Sequence, residues 1–149
     1  MKKNIYYIFG IVLLAVIFYW TYLVFFSTER DTVSIQTKEG NLSVTNLAKV
    51  PEAKQLSPQD TLAQSTPDYD IVYFDFGAKD RSFLIDIKGV DITLARTKAE
   101  AVFLQLLNIT RDQACSLNVS LRVSSNANDK LSGQEFGLSF CPNGKAFPK

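Results

Sequence analysis

The chain has 149 residues, sixteen Lys and Arg against fifteen Asp and Glu, two cysteines and no histidine. The missing histidine removes the Ser-His-Asp and Cys-His nucleophiles in their usual form, His-ligated zinc and the most common general base. The charges nearly balance and form no basic cluster, so nothing tracks nucleic-acid phosphates and no nucleic-acid partner is expected.

The average hides an asymmetry along the chain. Residues 5–26 carry no charge, and all fifteen acidic residues come after Phe26. Only Lys2 and Lys3 precede the run, so the part beyond it has a net charge near −1. As a helix, 22 residues rise roughly 33 Å, enough to cross a hydrocarbon core of about 30 Å. Tyr6 and Tyr7 at one end and Trp20 and Tyr22 toward the other match the aromatic belts of a membrane span. By the positive-inside rule, Lys2 and Lys3 predict a cytoplasmic N-terminus, residues 1–4, and place the chain from residue 27 onward outside the cell membrane. A cleaved signal peptide would have a shorter apolar core and a small-x-small site, whereas Phe25 and Phe26 precede Ser27 here. The segment holds no ionisable residue, so it suggests an anchor and no ion path.

Residues 27–68 are polar and carry Pro51, Pro58 and Pro67. They read as a stalk, with a weakly alternating hairpin at 32–46 around Glu39-Gly40-Asn41. A lone hairpin is marginal in water and would have to join the main domain or stay frayed.

The folded domain is expected at 69–142, followed by a tail at 143–149. Tyr69–Phe76 and Arg81–Ile87 read as a hairpin turning about Ala78–Lys79. That register sets Phe74 against Phe83 and Val72 against Ile85 on one face. It leaves Ile71, Tyr73, Asp75, Leu84 and Asp86 on the other. A helix follows, with Asp91 as N-cap and an apolar stripe of Ala95, Ala99, Val102, Phe103, Leu106 and Ile109. Arg96, Lys98, Glu100 and Gln105 lie mostly off that stripe. Thr110-Arg-Asp-Gln113 is a capping box that opens a short second helix. Val119, Leu121 and Val123 alternate as a strand, and Phe136, Leu138 and Phe140 alternate as a last one. The expected class is α+β: one N-terminal transmembrane helix, then a small antiparallel sheet in the order β-β-α-α-β-β with helices on one face.

Cys115 ends the short helix and Cys141 the last strand. Outside the cytoplasm such a pair favours a disulfide, worth about 3 kcal/mol in the chain-entropy model. In an inverted topology both would be ordinary buried thiols.

Three blocks carry a resemblance: Phe103-Leu104-x-x-Leu107-x-Ile109-Thr110, Ala114-Cys115-x-Leu117-x-Val119-Ser120, and Gly137-Leu138-Ser139-Phe140-Cys141-Pro142. Together they resemble a pattern in an uncharacterised family of N-terminally anchored bacterial envelope proteins. The resemblance implies an envelope-facing protein and carries no activity.

No catalytic, cofactor-binding or metal-binding residue is expected, and no cofactor. Asp75 and Asp86 would share a sheet face but stand too far apart for paired-carboxylate hydrolysis. An anchored carboxylate hydrolase is therefore the alternative reading. Asp80 and Asp129 lie outside any Asp-x-Asp-x-Asp-Gly calcium loop. Asn41, Asn108 and Asn118 match the N-glycosylation pattern by chance. A pilin-like subunit is a third reading, weakened by the proline-bearing stalk and the lack of a glutamate five residues into the apolar run. The first expectation is a non-enzymatic binding or envelope-organising module with a protein or polymer partner. Its contact surface would be the sheet face of Ile71, Tyr73 and Leu84.

Overall fold

Thr32–Thr37 (β1) and Gly40–Thr45 (β2) form an antiparallel hairpin in which Thr37 pairs with Gly40 across Lys38-Glu39. Gly40 adopts φ +134°, a region that favours glycine. The structure is a computed structural model and describes residues 31–148. The expected membrane span at 5–26 lies outside the described residues. Among those described, no helix is long and apolar enough to cross a membrane.

The segment read as a stalk contributes to the fold. Ile35, Val44 and Leu47 of the hairpin and the 3-10 turn after it are buried in the core. Lys54–Gln55 (β3) and Asp60–Ser65 (β4) then begin the main sheet. Tyr69–Asp75 (β5) and Arg81–Ile87 (β6) continue it, and Val119–Val123 (β7) completes it. The sheet has five strands in the order β3-β4-β5-β6-β7. Pairings are antiparallel as far as β6, but β6 and β7 run parallel.

This overturns the expected antiparallel α+β fold. The described chain is mostly sheet, with one long helix, the sixteen-residue Ile92–Leu107 (α1). The second helix, Arg111–Cys115 (α2), has only five residues. The parallel pair has a topological cause. The helical connection from β6 carries the chain back across the sheet, so β7 starts at the same end as β6.

The β5–β6 register also differs from expectation. Tyr73 pairs with Phe83, Ile71 with Ile85 and Asp75 with Arg81. The loop is centred on Ala78, one position from the expected axis pairing. Because side chains alternate along a strand, such a slip exchanges the faces of β5. Tyr69, Ile71 and Tyr73 join Phe83, Ile85 and Ile87 in the core, and Val72 and Phe74 take the other face. Both sides of β5 are apolar, so its pattern does not choose between them. The Asp75–Arg81 ion pair, with Nε 3.0 Å from Oδ1, closes the loop in the observed register.

Helix α1 lays Ala95, Ala99, Phe103 and Leu107 on the core face of the sheet. The Asp91 carboxylate accepts the Leu94 N–H at 3.0 Å, the expected N-cap. Asn108 ends the helix in the left-handed region, φ 56°. The capping box at Thr110 and Gln113 is present on α2.

The expected last strand does not form. Phe136 and Leu138 are buried, but Gly137 adopts φ +62° and the segment has no ladder. Side chains satisfy most of the backbone groups that a ladder would otherwise pair. Arg96 donates to Gly137 O at 2.8 Å and to Lys145 O at 2.7 Å. Glu100 accepts the Ser139 N–H at 2.6 Å, and Glu135 accepts the Gly137 N–H at 3.2 Å. Arg96 and Glu100, expected off the apolar stripe, are each only 6% exposed and bond each other at 3.0 Å. The Arg96 guanidinium also lies 4.9 Å from the centre of the Phe147 ring.

The Cys115–Cys141 disulfide is present, with Cα atoms 5.4 Å apart. Just beyond it the chain turns so tightly that a Cβ at Gly144 would overlap Leu138 O and lie 3.0 Å from Cys141 O. Both obstacles are backbone atoms and cannot swing aside. Gly144→Ala is therefore expected to cost about 1–3 kcal/mol, read as a lower denaturation midpoint in urea. An unchanged midpoint would show that the turn is not built as described.

Candidate functional site

Alternation in β1 sends the backbone groups of Ser34 and Gln36 away from β2, leaving them to find partners elsewhere. The β5–β6 loop supplies them. Gln36 N–H donates to Ala78 O at 3.2 Å, and Arg81 Nη1 donates to Ser34 O at 2.5 Å. The tip of the hairpin is thereby tied to the loop tip. Beside this junction, the disulfide fixes the end of α2 against the chain around Asn143.

The result is a cleft of about 530 Å³, within the usual range of ligand sites. One wall is Ile35–Glu39, a second Lys79–Arg81, a third Cys115–Asn118, and Asn143 closes it. The lining is mostly polar. Gln36, Asn118 and Asn143 are exposed, and none of their side-chain amides hydrogen-bonds to another described residue. Lys38 and Lys79 are exposed and form no ion pair with a described residue.

Arg81 belongs to the support of the cleft. Its Nε lies 3.0 Å from Asp75 Oδ1 and its Nη2 3.4 Å from Oδ2. The Tyr73 hydroxyl donates to Asp75 Oδ2 at 3.1 Å. Burial pushes the Asp75 carboxyl up, but the bonds from Arg81, the Gly77 N–H and Tyr73 outweigh it and hold the group below its ordinary value. Burial and then the Asp75 charge push the Tyr73 phenol up to about 12. The cluster is thus a phenol, a carboxylate and a guanidinium, each in its ordinary charge state at neutral pH.

Asp75 and Asp86 are not brought together. The register places Asp75 with Tyr73 on one face and Asp86 on the opposite face, directly across from Asp70. Asp70 is engaged by Ser65 Oγ at 2.6 Å and Lys88 Nζ at 2.7 Å. Burial, and then the Asp70 charge, raise the Asp86 carboxyl above its ordinary value. The ionised form is therefore less favourable in the folded chain than in the unfolded one. Stability linked to Asp86 is fully present below the unfolded value and falls as pH rises through the higher folded value. Asp86→Asn is expected to raise the thermal midpoint slightly at neutral pH and to leave it unchanged in acid. A loss of stability at neutral pH would contradict this.

The expected contact surface is not assembled either. Ile71 and Tyr73 are buried in the core, while Leu84 pairs with Val72 on the other face. Asp80 lines the cleft, and Asp129 O accepts a turn hydrogen bond from Ser132 N–H at 3.3 Å. Among the described residues, no group of three or more acidic, cysteine or histidine side chains is placed to hold a metal. Of the three glycosylation-pattern asparagines, Asn118 lies in the cleft. The cleft itself was not foreseen. Its residues come from four separated polar segments, which carry no shared signal in the sequence. Comparison of the chain with protein-family models, with curated proteins and with solved structures found no match.

Proposed function

We propose that this chain is a membrane-anchored binding module that presents its cleft to a component of a bacterial envelope. The apolar run at 5–26 is the anchor, with Lys2 and Lys3 keeping the N-terminus cytoplasmic. The remainder of the chain stands outside the cell membrane. The Cys115–Cys141 disulfide supports that placement, because such bridges persist in oxidising compartments. So does the resemblance of the blocks at 103–110, 114–120 and 137–142 to anchored envelope proteins. The observation that carries the binding role is the cleft: amide and ammonium groups gathered from separate segments and left without partners among the described residues.

Labelling of lysines on intact cells with a membrane-impermeant amine reagent tests both parts. Lys130, exposed and away from the cleft, is expected to label readily. Lys38 and Lys79 are expected to resist labelling in the envelope and to label after the protein is purified. Lys130 left unlabelled until lysis would overturn the topology. Equal labelling of all three on cells would overturn an occupied cleft.

A further inference from the structure

We infer that the cleft takes a neutral, hydroxyl-rich ligand, a short oligosaccharide; this rests on the binding role proposed above. Three features select the class. The first is the hydrogen-bonding inventory. The amides of Gln36, Asn118 and Asn143 each offer two donors and an acceptor. Sugar hydroxyls, which both donate and accept, can satisfy such amides in many orientations.

The second feature is charge. Lys38 stands beside Glu39 and Lys79 beside Asp80 in sequence, and both acids line the cleft. Arg81 is held by Asp75. Among the described residues, the unpaired charges of the cleft therefore cancel in number. No net field selects a polyanion, and no basic track is available for a phosphate backbone.

The third feature is the small apolar share. Ile35, Leu117 and Cys115 are the apolar lining residues, and Ile35 is itself buried. Among the described residues, no aromatic ring lines the cleft. A flat hydrophobic ligand or the side chains of an apolar peptide would bury little matching surface. A hydrated ligand fixed by directional bonds fits better, with an affinity set by a few bonds to water-accessible groups.

Isothermal titration of the full chain in a detergent without a sugar headgroup tests this. The probes are N-acetylchitotetraose as the neutral sugar, tetragalacturonate as an anionic one and tetra-alanine as a peptide. Saturable binding of N-acetylchitotetraose is expected, with little or no response to the other two. Asn118→Ala and Asn143→Ala remove exposed amides that make no described side-chain bond, so both variants are expected to fold. Each is expected to weaken the sugar by up to about tenfold. Saturable binding of tetragalacturonate or tetra-alanine alone would overturn the inference. So would no binding of the neutral sugar, or binding unchanged in both variants. If the sugar fails while Lys38 and Lys79 remain protected on cells, the ligand class is wrong and the binding role stands. If that protection is absent as well, both fail.

Discussion

Replacing Arg96 with Met is expected to cost about 3–5 kcal/mol, because it leaves the Glu100 charge buried without its partner. The loss extends beyond the ion pair. Arg96 also holds Gly137 O and Lys145 O, and Glu100 holds the Ser139 N–H and hydroxyl. Together they occupy backbone groups of a segment that forms no ladder and touches β7 only at isolated points such as Phe136 N–H to Leu121 O. A buried ion pair is often replaced by apolar residues at little cost. Here the double variant Arg96→Met, Glu100→Leu is expected to stay well below the parent, since each buried backbone group left unpaired costs about 1–3 kcal/mol. Urea denaturation gives the stability, and amide exchange at Ser139 locates the loss. A double variant as stable as the parent would show that the pair does not hold this segment in place.

Loss of the disulfide is the second large effect. Cys115 and Cys141 are 26 positions apart, and their bridge closes a loop that contains β7 and the irregular segment after it. Cys115→Ser with Cys141→Ser is expected to lower stability by about 3 kcal/mol, mainly by freeing the unfolded chain. Reduction of the parent is expected to have a similar effect. The cleft should loosen too, because the bridge joins two of its walls. Faster exchange at Leu117 and Gly144, whose N–H groups donate to Ala114 O and Cys141 O, would report this. Equal stability of parent and double variant under oxidising conditions would contradict the role of the bridge.

The two effects share a cause. The chain after β7 has apolar anchors in Phe136 and Leu138 but no ladder. Its backbone groups are satisfied one by one, by Arg96, Glu100 and Glu135. A glutamate from this segment also reaches the sheet edge. Glu135 accepts the Leu121 N–H at 2.7 Å, and the Phe136 N–H donates to Leu121 O at 3.0 Å. The outer edge of β7 is thereby covered, which limits pairing with another chain.

Sequence alone determined the features that depend on near neighbours. The Asp91 cap and the Thr110–Gln113 capping box form because their partners lie three residues away. The β1–β2 hairpin, helix α1 and strand β7 follow from local patterning, and the cysteine pair from count and context. Tertiary structure decided whatever required a choice between equal local patterns. Strand β5 is apolar on both sides, and its face was chosen with the core that Tyr69, Ile71 and Tyr73 share with helix α1, in the register that also pairs Asp75 with Arg81. Phe136–Phe140 alternates like a strand, yet Arg96 and Glu100 satisfy its backbone from a helix some forty residues earlier. The i,i+4 spacing of that charged pair was visible, but its burial depended on a segment the helix itself does not encode. The cleft is the extreme case: its polar groups have no common period or motif, and only the packing of four distant segments makes them neighbours.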